Sequence, residues 1–135
     1  MIMEDSVNVS IIKKLFQYYA HSDMEGFMSL LSPEVIWLEP GNSEIPYSGT
    51  FKGIEEIGSM IGITVKNLEM ISFEATDFCE GLNKVLAIGS NEAKVKATGK
   101  IYKTDWVYAF SLEDGKITSV QVYMDTQSIA NAFCN

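Results

Sequence analysis

The spacing of apolar positions along the chain changes character near its midpoint. From Val9 to Tyr19 the residues Ile11, Ile12, Leu15, Phe16, Tyr18 and Tyr19 recur at helical spacing, with Lys13, Lys14 and Gln17 as a polar face. This predicts a first amphipathic helix. Ser22 followed three residues later by Glu25 has the form of a capping box, and Met24, Phe27, Met28 and Leu31 fall at i, i+3, i+4 and i+7. A second helix is therefore expected from Ser22 to just before Pro33. The segment VIWLE then alternates, placing Val35, Trp37 and Glu39 on one face of a short strand. PGNSEIPYSG reads as turn chemistry with room for a short strand at Tyr47 to Phe51, and GIEEIGSMIG as a third helix capped by Gly53. Beyond it, Leu68 to Cys79, Lys84 to Ala97, Ile101 to Leu112 and Ile117 to Met124 are β-rich runs. Short turn signals at Gly81-Leu82-Asn83, Gly99-Lys100 and Glu113-Asp114-Gly115 separate them, predicting a four-stranded antiparallel meander. A closing TQSIANAF has the pattern of a helical turn. Helices followed by strands imply an α+β domain, a curved antiparallel sheet with N-terminal helices across its concave face.

Composition narrows what such a domain does. At 135 residues one core is expected, and 47% apolar residues are enough to fill it. The formal charge is -8, which disfavours nucleic acid as a partner. All 10 basic residues are lysine, so no guanidinium clamp on a carboxylate or phosphate can form. A single histidine, His21, and two widely spaced cysteines, Cys79 and Cys134, make a metal site an unpromising expectation. The opening residues lack the basic flank and apolar run of a secretory leader, and no 18-residue apolar stretch follows; the expectation is a cytoplasmic protein with reduced thiols and no membrane partner. Neither of the glycine-rich stretches GTFKG and GNSEIPYSG has nucleotide-loop spacing, and no cofactor is expected.

The concave face of such a sheet is a natural small-molecule pocket, so the polar groups aimed into it are the candidate chemistry. Glu39 shares a strand face with Trp37 and is followed by Pro40-Gly41, a setting in which burial raises a carboxyl pKa toward the range useful for proton transfer. The alternative is a solvent-facing strand end. Asp125 ends the last strand as a second acid/base candidate, with a helix N-cap as the competing role. His21, at the end of the first helix, either complements the helix C-terminus or faces the pocket. Tyr18, Trp37, Tyr47, Trp106 and Tyr108 are candidate ligand-binding aromatics whose polar tips need partners.

The run YYAHSDMEGFMSLLSPEVIWLEPGNSEIPYSGTFKGIEEI, with WVYAFSLEDGKITSVQVYMDTQSIANAF later, resembles SnoaL-like polyketide cyclases and ketosteroid isomerase-related proteins of the nuclear transport factor two-like superfamily. The resemblance spans about Ile11 to Phe133. It implies a cone-shaped α+β barrel and places Glu39 where steroid isomerases hold their proton-shuttling acid. It places Asp125 where the cyclases hold theirs. Leu15 falls where the isomerases carry an oxyanion tyrosine, and the Trp106 to Tyr108 stretch has no counterpart of their protonated aspartate, so their oxyanion hole is not reproduced. Tyr18, Tyr19, Trp106 and Tyr108 are the replacement donors the pattern offers. Epoxide hydrolases of this superfamily need an arginine and the scytalone dehydratase type two histidines, so neither is matched. The functional expectation is cofactor-independent proton transfer, isomerisation or cyclisation, on a hydrophobic carbonyl compound. Its rivals are a non-catalytic binding or regulatory domain and a dimerisation scaffold. A homodimer through the outer sheet face is expected from the apolar strands and from the resemblance.

Overall fold

The computed structural model describes residues 4–135; the first three residues of the segment read for a leader lie outside them. Helices α1 (Val7–Ala20) and α2 (Met24–Ser29) precede strands β1 (Leu31–Glu39) and β2 (Gly49–Lys52). Helix α3 (Gly53–Asn67) then leads into β3 (Leu68–Gly81), β4 (Lys84–Val95), β5 (Ile101–Glu113) and β6 (Lys116–Met124), and α4 (Thr126–Phe133) closes the chain. The six strands form one unclosed sheet in the order β2-β1-β6-β5-β4-β3. The meander is antiparallel as its hairpins require, and Asp114 and Gly115, both at positive φ, form the two-residue β5–β6 turn. The sheet is nevertheless mixed, because β1 runs parallel to β6. No local turn links those two strands, so neighbouring residues hold no record of the pairing.

Local chemistry moves several boundaries. Ser22 does not cap α2: it sits at φ 55°, and Asp23 takes the role by accepting from Gly26 N at 2.9 Å. The helix is short, and Pro33 lies inside an irregular stretch of β1, where a missing N–H is tolerated. Helix α3 runs five residues beyond the glycine-containing segment that predicted it. Lys52, not Gly53, is its N-cap, and the Lys52 N–H donates to Glu56 Oε1 at 2.9 Å.

Curvature comes from β3 and β4. Ile71 and Thr76 are extra residues in the β3–β4 register, two bulges that bend the edge strand. Opposite the second, Gly89 leaves room for Trp106: a Cβ there would stand 2.1 Å from Glu74 O and 2.6 Å from the indole. Trp106 in turn stacks on Phe16 of α1 and Phe73 of β3. Strand β5 alternates strictly, burying Tyr102, Thr104, Trp106, Tyr108, Phe110 and Leu112 on the concave side. Helix α1 covers β3 and β4, α3 covers β1 and β2, and α4 lies on β5 and β4.

Candidate functional site

Between the helices and the concave face lies a cavity of about 70 Å³ that opens to solvent. Each element contributes by its period. Helix α1 presents Leu15, Phe16 and Tyr19, β1 presents Trp37 and Glu39, and α3 presents Met60, Ile61 and Thr64. The sheet beyond supplies Phe73, Asn91, Tyr102 and Tyr108. The nominal turn segment between β1 and β2 is not a plain surface loop, since it buries Ile45 and Tyr47. Asn42 organises it, accepting from Glu44 N through its side chain at 2.8 Å and from Ile45 N through its carbonyl at 3.0 Å. Tyr47 is thereby swung under α4, its ring 6.0 Å from that of Phe133.

Among the described residues Glu39 is the one carboxylate lining this cavity, and no lysine lines it. Trp37, two residues earlier on the same strand face, donates from Nε1 to Glu39 Oε1 at 3.0 Å. Burial pushes the Glu39 pKa up to about 7, and the indole hydrogen bond offsets only part of that effect. Four phenols share the space. Burial raises Tyr19, Tyr47, Tyr102 and Tyr108 above the usual tyrosine value, and the Glu39 charge pushes each in the same direction. The cavity therefore combines one carboxyl poised near neutrality with phenols that stay protonated as donors.

Of the sequence candidates, Glu39, Trp37, Tyr47 and Tyr108 meet in this cavity. The others do not. Asp125 is solvent-exposed and caps α4, with Oδ1 accepting from Ser128 N at 3.0 Å and Oδ2 from Ser128 Oγ at 2.7 Å. Those bonds lower its pKa, the opposite of what a neutral-pH acid needs. Strand parity explains its position, since Gln121, Tyr123 and Asp125 belong to the outer face while Val120 and Val122 point inward. His21 is an exposed C-cap whose Nδ1 lies 2.8 Å from Gln17 O. Tyr18 lies on a different side of α1 from the cavity-lining Leu15, Phe16 and Tyr19, against Gly26. Trp106 is buried behind the wall, its Nε1 unpartnered. Tyr19, one of the replacement donors the resemblance offered, lines the cavity, and Tyr102 and Asn91 complete the polar lining although sequence reasoning did not place them there. Their signals were present: Tyr19 follows Ile12, Leu15 and Phe16 at i+7, Tyr102 shares parity with Trp106 and Tyr108, and Asn91 interrupts the apolar parity of β4.

Among the described residues no group of three or more His, Cys, Asp or Glu side chains is placed to hold a metal, and no helix is long and apolar enough to cross a membrane.

Comparison with known proteins places the fold. A sequence model of the SnoaL-like domain matches residues 12–120, and the chain belongs to that family. No protein of curated function matches it significantly. An NTF2-like protein from Burkholderia xenovorans LB400 superposes with a TM-score of 0.88 at 27% identity, covering 98% of this chain and 100% of that one. The structure of TerC co-crystallised with polyporic acid superposes with a TM-score of 0.82 at 22% identity over 95% and 98% of the chains. A putative isomerase from Bacillus subtilis gives 0.78 at 20% identity over 94% and 92%. The last two likenesses concern the fold.

Proposed function

We propose that this SnoaL-like protein is a cofactor-independent acid–base enzyme of the isomerase or cyclase type, acting on a hydrophobic carbonyl compound with Glu39 as its proton shuttle. The observation that carries this is the setting of Glu39, a carboxyl oriented by Trp37 Nε1 in an aromatic cavity and titrating near pH 7. Such a group accepts and returns a proton at comparable cost, as both halves of an enolisation require. In the forward half the Glu39 carboxylate takes the proton α to the carbonyl. The C–H electron pair becomes the enolate double bond, and the carbonyl π pair moves onto oxygen, where neutral phenols supply hydrogen bonds. In isomerisation the proton returns from Glu39 to a different carbon; in cyclisation the enolate carbon bonds to a second carbonyl carbon of the same molecule, whose π pair moves onto its oxygen, and that alkoxide takes the proton from Glu39.

Hydrogen–deuterium exchange tests this directly. 1-Tetralone in D2O should exchange its α-protons faster with the protein than without it, with a rate that rises with pH through about 7 as Glu39 ionises. Glu39→Gln keeps an acceptor for Trp37 but removes basicity and should lose on the order of 10²-fold. Asp125→Asn, altering only the α4 cap, should retain the rate. A wild-type rate no higher than that of Glu39→Gln would leave the non-catalytic binding domain as the better reading.

A further inference from the structure

The Glu39 cavity is too small to be a whole binding site. Its volume of about 70 Å³ falls well short of the roughly 300–1,000 Å³ that small-molecule pockets occupy. Beside it, between α1, α3 and the edge strand β3, lies an open hollow of about 640 Å³. Phe16, Tyr19, Ile61, Met70 and Phe73 line both, so the two spaces meet at these five side chains. The outer hollow is built by the same periods as the inner one. Helix α1 adds Ala20 four residues after Phe16, and α3 adds Val65 four residues after Ile61. On β3 the bulge does the placing: with Ile71 as the extra residue, Met70 and Phe73 both face the cavity although they are three residues apart, and Ile71 itself lines the outer hollow. Val65 and Ile71 are 60% and 50% exposed, large apolar side chains facing a space that nothing in the chain fills. Among the described residues no Lys, Asp, Glu or His lines this hollow.

We infer that the outer hollow holds the remainder of the molecule whose carbonyl end enters the Glu39 cavity, so that the substrate is a ketone carrying an uncharged apolar arm, with Val65 and Ile71 as the residues that select for the arm. This deepens the Glu39 reading and rests on it for the carbonyl end alone. A charged arm would lose its water against a wall with no opposite charge to meet it. An apolar arm instead covers Val65 and Ile71, and each methylene taken out of water there tightens binding by about two- to fourfold.

NMR titration of the protein with the unbranched methyl ketones from 2-pentanone to 2-decanone tests the assignment. Binding should tighten by about two- to fourfold per methylene as the chain outgrows the inner cavity, and the longer members should shift the methyl signals of Val65 and Ile71 where 2-pentanone does not. Val65→Asp combined with Ile71→Asp, at exposed positions away from Glu39, should flatten the dependence on length while leaving the affinity for 2-pentanone unchanged. Alanine at both positions should reduce the dependence in the same direction if the charged variant does not fold. Affinity independent of chain length overturns the inference, as does a length dependence that survives these substitutions or no binding by any member. Binding needs no proton transfer, so α-proton exchange reports on Glu39 separately. Tighter binding of the longer ketones to wild type and Glu39→Gln alike, with no exchange in either, would sink the base assignment and leave the outer site standing; exchange that Glu39→Gln abolishes, without any effect of length on affinity, would do the reverse.

Discussion

Glu39 makes its own ionisation a burden on the fold. Its carboxyl titrates near 4.5 in an unstructured chain and near 7 here, so between those values the folded state holds a proton that the unfolded state has released. Stability must fall as pH rises across that window, by on the order of 3 kcal/mol for a shift of this size. Glu39→Gln removes the titration and keeps the Trp37 acceptor. The variant should melt above wild type at pH 8, with the difference closing toward pH 5, as thermal denaturation followed by circular dichroism would show. An equal difference at both pH values would mean that the carboxyl is not buried in the folded protein. At this scale the sequence was legible where side-chain parity alone decides: Trp37 and Glu39 share a face because the strand period is two. Asp125 was ambiguous because an N-cap and a strand-end acid are the same residue in the same place, and only the helix behind it separates the roles. Tyr18 and Tyr19 were adjacent aromatics on one helix, and 100° of rotation decides which of them meets the ligand.

At the scale of elements, the cavity depends on an exchange between β4 and β5, the missing side chain of Gly89 against the large one of Trp106. Gly89→Ala would force the added methyl against Glu74 O and the indole, so that the edge strand or the ring has to move. We expect a loss of about 1–3 kcal/mol in urea unfolding. The accompanying loss of ketone affinity should exceed what lower stability explains, because Phe16 and Phe73 stack on the displaced ring and line the cavity. A variant with wild-type stability would show that the bulged strand is free to yield. Strands and hairpins were readable because turn residues and alternation are local. The bulges at Ile71 and Thr76 were not, since an extra residue in a register is a property of two strands together. The buried segment around Tyr47 was hidden by its own proline and glycine content.

At the scale of the molecule, the outer sheet face carries an apolar patch set by register. Leu38, Gln121, Ala109 and Leu86 form one row, and Tyr123, Val107 and Ile88 the next. Ile36, Leu86, Ile88 and Tyr123 are all exposed. Both ends of the patch mix lysines with acids, Lys84, Glu113 and Lys116 at one and Glu92, Lys94, Lys103 and Asp105 at the other. A two-fold related copy of the same chain can therefore satisfy it, and we propose a homodimer through this face. Light scattering should give about twice the 15.0 kDa chain mass at micromolar concentration, and Leu86→Lys with Ile88→Lys should return it to one chain. A wild-type mass of one chain would end that proposal.

The parallel pairing of β1 with β6 also bears on how the chain acquires its site. Trp37 and Val120 are register partners although more than eighty residues separate them. The β3–β4–β5–β6 meander closes through short turns and can form early, whereas the β1 ladder must wait for the last strand and for a large loop to close. The carboxyl of Glu39 thus leaves water only at the end of folding, when its strand docks beside β6. On the ribosome that moment arrives only after β6 has been made. Until then β1 and β2 remain a short apolar hairpin without the rest of the sheet beside it, the stretch of this protein most dependent on prompt completion or on a chaperone's shelter.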